Sequence, residues 1–125
     1  MKDIGILFIF LIVALAFSCK HEIPVAPADT NKCDTAMVTY SISIKGVISA
    51  NCGHCHGSTV YTTKGSGYNF DDYNVLKNEV DNGNLAKAIN HLPGVVPMPL
   101  DKTEKISTCE IRKFMIWIDA GAPNN

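Results

Sequence analysis

The chain opens on an apolar run, Ile4 to Phe17, broken only by Gly5. It turns polar and proline-containing from Lys20 to Lys32, with no helical or strand period. Further on, apolar residues recur three and four apart, the spacing of one helix face. Ile44, Val47 and Ile48 predict a helix from Tyr40 to Asn51. Gly57 to Gly67 is rich in Gly, Ser and Thr and predicts a loop. Asp71 or Asp72 stands where an N-cap belongs, ahead of a short helix through Val75, Leu76 and Val80. Asp81-Asn82-Gly83-Asn84 predicts a turn. A second short helix is expected from Leu85 to His91, with Leu85, Ala88, Ile89 and Leu92 on one face. Leu92 to Leu100 carries three prolines and a glycine, which excludes a helix interior or a central strand. Ser107 and Glu110 have the spacing of a capping box. Ile111, Phe114, Met115 and Ile118 continue that helix until Gly121 and Pro123 end it. No stretch reads as a strand. The expected class is all-α, with short helices and long loops.

The first apolar run is too short for a membrane-spanning helix, which needs about 20 residues. It follows Lys2 and suits the apolar region of a signal peptide over residues 1–18. Its end, Ser18-Cys19, resembles the lipobox of bacterial lipoproteins. That resemblance implies cleavage before Cys19 and lipidation of Cys19. The alternative is an ordinary cleaved signal that leaves Cys19 as a free thiol. Residues 19–32, with Pro24 and Pro27, then read as a tether reaching at most roughly 45 Å. His21 lies in it and is expected to be solvated. The expected location is the bacterial cell envelope, lipid-anchored, on the periplasmic side or at the outer membrane.

Charge adds little. There are 11 Lys and Arg against 12 Asp and Glu, a net charge of −1. No basic run points to nucleic acid. Residues 33–125 are one domain by length, about 93 residues, and too small for a large core.

The chemistry is concentrated in Cys52-Gly53-His54-Cys55-His56. On a helical turn, residues three and four apart share a face, so both thiols and His56 can point at one flat ring. The pattern is that of covalent haem attachment, with thioethers at Cys52 and Cys55 and an axial bond from His56. Three other readings compete. Cys-Gly-His-Cys is also the active-site tetrapeptide of protein disulfide isomerases, but no strand-helix-strand pattern surrounds it here. Cys52, Cys55, His56 and a further Cys are a possible zinc set. The pair could also be structural only. Of the five cysteines, one for lipid and two for haem leave Cys33 and Cys109. In an exported chain these are most simply a disulfide. It would close a loop of roughly 77 residues and stabilise by roughly 4 kcal/mol in the chain-entropy view.

A second axial ligand could come from Met37, Met98, Met115, His54 or His91. Met98 stands between Pro97 and Pro99, which hold a loop methionine in place. His91 is its closest competitor. Met115 sits on the apolar face of the last helix, Met37 has no rigid frame, and His54 lies inside the attachment loop.

From Cys33 to the C-terminus this order of features resembles the class I monohaem cytochromes c. Those features are a helix, Cys52-x-x-Cys55-His56, loops and short helices, Met98-Pro99 and an aromatic-bearing final helix. With the N-terminal anchor and Cys33 and Cys109, the chain resembles small envelope lipoprotein cytochromes of Bacteroidetes-type bacteria. The resemblance implies a cytochrome c-like fold around one haem c, with proximal His56 and distal Met98. It also implies contact of Ile44 and Ile48 with Phe114 or Trp117. Where the family carries Gly and an aromatic residue, eight and four positions before the motif, this chain has Ile44 and Ile48. The implied activity is one-electron transfer to redox partner proteins, alone or as a subunit of a larger oxidoreductase, with no substrate of its own. The alternatives are a haem-based sensor with a displaceable Met98 and a thiol–disulfide oxidoreductase using Cys52 and Cys55.

Overall fold

The computed structural model describes residues 33–125. The expected signal peptide over 1–18 and tether over 19–32, with Cys19 and His21, lie outside the described residues. Among those described, every regular element is helical.

The first helix begins as a π-helical turn, Tyr40–Ile44, and continues as α1, Lys45–Asn51. A single α-helix was the expectation over this stretch. Tyr40-Ser41-Ile42-Ser43-Ile44 are weak helix formers, and their first amides have other partners. The Tyr40 amide donates to the Asn125 side-chain oxygen at 2.9 Å, and the Ser41 amide to the Asn125 carbonyl at 2.8 Å. Thr39 caps the turn by accepting from the Ile42 amide at 3.2 Å. The short helix α2, Gly53–His56, follows at once.

Helix α3, Tyr73–Asp81, starts at Asp72, whose side chain accepts from the Asn74 amide. Asp71 does something else. It accepts from the Ser58 amide at 2.7 Å and so ties down the loop after α2. Gly83, at φ 77°, makes the turn into α4, Asn84–Ile89. A residue with a Cβ would be strained there. Helix α4 is shorter than expected. Asn90 caps it and His91 takes φ 53°, so the chain leaves the helix axis before Leu92. Leu92 is therefore half exposed rather than on the buried face.

Helix α5, Thr108–Asp119, carries the expected capping box in full. The Ser107 hydroxyl accepts from the Glu110 amide, and the Glu110 carboxylate accepts from the Ser107 amide. Burial raises the Glu110 pKa, but hydrogen bonds from Ser107 and Asn51 outweigh it and the net direction is down. Cys33 and Cys109 stand at disulfide distance, with Cα atoms 5.3 Å apart.

The π turn packs on α5, and Ile44, Ile48, Leu76, Phe114 and Trp117 share one buried cluster. Tyr40 stacks on Trp117 and meets Tyr73 edge-on. The Trp117 indole N–H donates to the Pro123 carbonyl and the Tyr73 hydroxyl to the Ala122 carbonyl. The C-terminal residues are thus bound into the aromatic end of the core. Truncating Phe114 or Trp117 to Ala would cost about 3–5 kcal/mol. This rigid end of the domain is the frame against which α1 and α2 are set.

Candidate functional site

Cys52 breaks the first helix. It stands between α1 and α2 with φ −118°, and its amide still donates to the Ile48 carbonyl at 2.8 Å. The Cys52 carbonyl then accepts from both the Cys55 amide, at 3.1 Å, and the His56 amide, at 2.8 Å. That tight turn is the local reason why Cys52, Cys55 and His56 come to one place. All three line a cavity of about 350 Å³ between α2, α3, α4 and the loop after α4. The volume lies in the range of ligand sites, roughly 300–1,000 Å³. Phe70, Leu85 and Ile89 supply much of the apolar wall.

His56 is buried and its ring is fixed on two sides. Phe70 stacks on it, with centroids 4.5 Å apart and planes 16° from parallel. Its Nδ1 donates to the Tyr68 carbonyl at 3.1 Å. A carbonyl only accepts, so the proton is on Nδ1 and a neutral ring keeps its lone pair on Nε2. Nε2 makes no hydrogen bond within the described residues. This is the arrangement of a metal-ligating imidazole, whose other N–H is held by a carbonyl or carboxylate. Gly65 makes the close approach possible. A Cβ there would stand 2.5 Å from the Cys55 carbonyl oxygen and 3.0 Å from His56 Nδ1.

Met98 lines the same cavity. Its amide donates to the Ala88 carbonyl at 3.0 Å, and its carbonyl accepts from His91 Nε2 at 3.0 Å. The Met98–Pro99 peptide bond is cis. His91, weighed above as an axial ligand, therefore spends Nε2 on the Met98 backbone and does not line the cavity. It is a holding group for the Met98 loop. Met37 is exposed and Met115 lies beside Asn90, both away from the cavity. His54 reaches the cavity rim and pairs there with Asp101 at 3.1 Å, both half exposed. Such a surface pair contributes little energy.

The two motif thiols are unpaired. Burial pushes the Cys52 thiol up to about 11, with the Glu110 carboxylate adding to the effect. A redox-active cysteine needs the opposite, a thiol acidified toward neutral pH. No group of three His, Cys, Asp or Glu side chains among the described residues is placed to hold a metal ion. The zinc reading therefore finds no donor set.

The chain matches no family model, no curated protein and no solved structure.

Three residues in or behind the cavity wall were not singled out from the sequence. Gly65 was one glycine in a glycine-rich loop. Phe70 lay between predicted elements. Glu79 is buried and lines the cavity. It did leave a signal, because it stands three residues after Leu76 on the apolar face of α3.

Proposed function

We propose that this domain is a one-electron carrier that holds one haem c covalently. The observation that carries the reading is the state of His56. Its Nδ1 proton is held by the Tyr68 carbonyl, and its Nε2 lone pair is free at a cavity also lined by Cys52, Cys55 and Met98. These residues fit the group chemically. Cys52 and Cys55 are unpaired thiols, as addition to the two vinyl groups requires. His56 has the tautomer of a proximal ligand, and Met98 has a thioether on a backbone-anchored loop. The wall is mostly apolar, which suits a large flat macrocycle.

Haem bound there would supply exchange of one electron between ferric and ferrous iron. The protein's part is to bind, orient and shield. Phe70 and Tyr68 hold the His56 ring against rotation. Met98 would be the second residue to hold the iron, and its thioether would favour the reduced state, because such a ligand raises the potential. Leu85, Ile89 and Phe70 keep water back, which also disfavours the more charged ferric state. If His56 and Met98 both held the iron, the domain would need no substrate of its own. The helices would take the class I cytochrome c-like arrangement. Cys19, lipidated, would anchor the domain in the bacterial envelope, where it meets its redox partners.

The test is an optical spectrum of protein matured with a haem-attachment system, together with a pyridine haemochrome assay. A c-type spectrum that survives denaturation, with the weak red absorbance band of a methionine–ferric iron bond, is expected. Covalent haem without that band would make the domain a ligand-binding module instead. Absence of covalent haem would overturn the reading.

A further inference from the structure

The described residues bury two polar or charged side chains, His56 and Glu79, and both line the same cavity. The first has a role in the reading above. The second has none. Glu79 lies on α3 and is 8% exposed. Each of its oxygens accepts from one amide: Oε1 from Asn82 Nδ2 at 3.3 Å and Oε2 from Asn84 Nδ2 at 3.0 Å. Two accepting oxygens with two N–H donors is the pattern of an ionised carboxylate. The donors sit at the α3–α4 turn and are themselves neutral, so they solvate the charge without cancelling it. No cation is paired with Glu79 among the described residues. A buried unpaired charge opposes folding. If the turn alone needed joining, a neutral side chain would do so without that cost.

We propose that Glu79 is a charge-setting residue of the cavity, one that would lower the reduction potential of an iron centre held there. The inference rests on the haem reading. Ferric haem iron carries one more positive charge than ferrous iron. A fixed negative charge on the same low-dielectric cavity stabilises the ferric form more than the ferrous form. Glu79 thus works against Met98 and the apolar wall, both of which favour reduction. Lys64 and Asp101, the other charged residues at this cavity, are exposed and screened by water. Glu79 is the charge that water does not screen.

The experiment uses the full-length protein matured with haem. Covalent haem is first quantified in the native chain and in Glu79→Gln and Glu79→Met. The midpoint potential and thermal melt of each follow. Both substitutions remove the charge, and glutamine keeps one oxygen acceptor for the turn. The expected result is a higher potential in both, a shift in the equilibrium constant for reduction of about tenfold, or ~59 mV for one electron. The sign separates charge from structure. A variant that merely loosened the cavity would admit water, stabilise ferric iron and lower the potential. An unchanged or lowered potential in haem-loaded variants overturns the role of Glu79 and leaves the carrier reading standing. Failure of both variants to fold and load, beside a loaded native chain, makes Glu79 a structural tie and also overturns it. A native chain without covalent haem overturns the carrier reading itself.

Discussion

Two of the walls of the cavity are unlike. One is made by Cys52 to His56, five consecutive residues on a tight turn that ends a helix. Its side chains converge because local hydrogen bonds to the Cys52 carbonyl force them together. The other is the loop from Leu92 to Leu100, which has no regular structure and brings Met98 to the cavity from 42 residues further on. It is held by the Ala88 carbonyl and His91 side chain, two groups at the end of α4. The first wall is built by sequence proximity, and damage to it removes the site. The second is positioned by tertiary contacts, and damage to it retunes the site. In the proposed carrier, attachment and tuning would thereby be separated.

The largest effect should come from the first wall. Replacing Cys52 and Cys55 together by Ser should abolish covalent haem, read as loss of haem-dependent staining on a denaturing gel. Retained covalent haem would refute the assignment of both thiols. Gly65→Ala comes next. Its Cβ would collide with the backbone beneath His56, where nothing can swing aside. A destabilisation of about 1–3 kcal/mol and reduced haem loading are expected in a thermal melt and haemochrome assay. A fully loaded, equally stable variant would show that the close packing on Nδ1 is dispensable.

The second wall should respond differently. Met98→Ala should keep covalent haem, lower the potential and open the iron to carbon monoxide. Unchanged potential and no carbon monoxide binding would remove Met98 from the axial position. His91→Ala should do less. It removes one hydrogen bond to the Met98 carbonyl, worth about 1 kcal/mol, and should weaken the methionine–iron band without abolishing it. Complete loss of the band would mean that His91 holds the whole loop.

The smallest effect sharpens the contrast with thiol chemistry. In the haem-free chain the Cys52 thiol is neutral at pH 7, because burial holds its pKa near about 11. Alkylation of Cys52 should therefore be slow at pH 7 and accelerate up to about pH 11. Since the unfolded thiol ionises first, near its ordinary value of 9.0, rising pH favours unfolding across that interval. Any stability from Cys52 is present below pH 9 and lost as the pH approaches 11. Rapid labelling at pH 7 would revive the disulfide oxidoreductase reading.

Much of this was legible beforehand. The capping box at Ser107 and Glu110 and the stop at Gly121 are local chemistry, each found where the sequence placed it, and of the two candidate caps Asp71 and Asp72 the structure uses Asp72. The helical class followed from the spacing of Ile44, Ile48, Phe114 and their neighbours. Two features departed from the expectation, one through a distant residue and one through a local backbone turn. Asn125 takes up the first amides of the opening helix, which begins in π form. His91 turns left-handed and releases Leu92 to solvent.

Sequence alone determined the motif and the helical class, because these depend on residue type and short spacing. Only the tertiary structure decided which His56 nitrogen is free, and that His91 supports Met98 rather than competing with it. Only there, too, did Glu79 emerge as a charge on the cavity wall. Those outcomes depend on which carbonyl, amide or ring meets a side chain across the fold. Linear spacing does not encode such meetings.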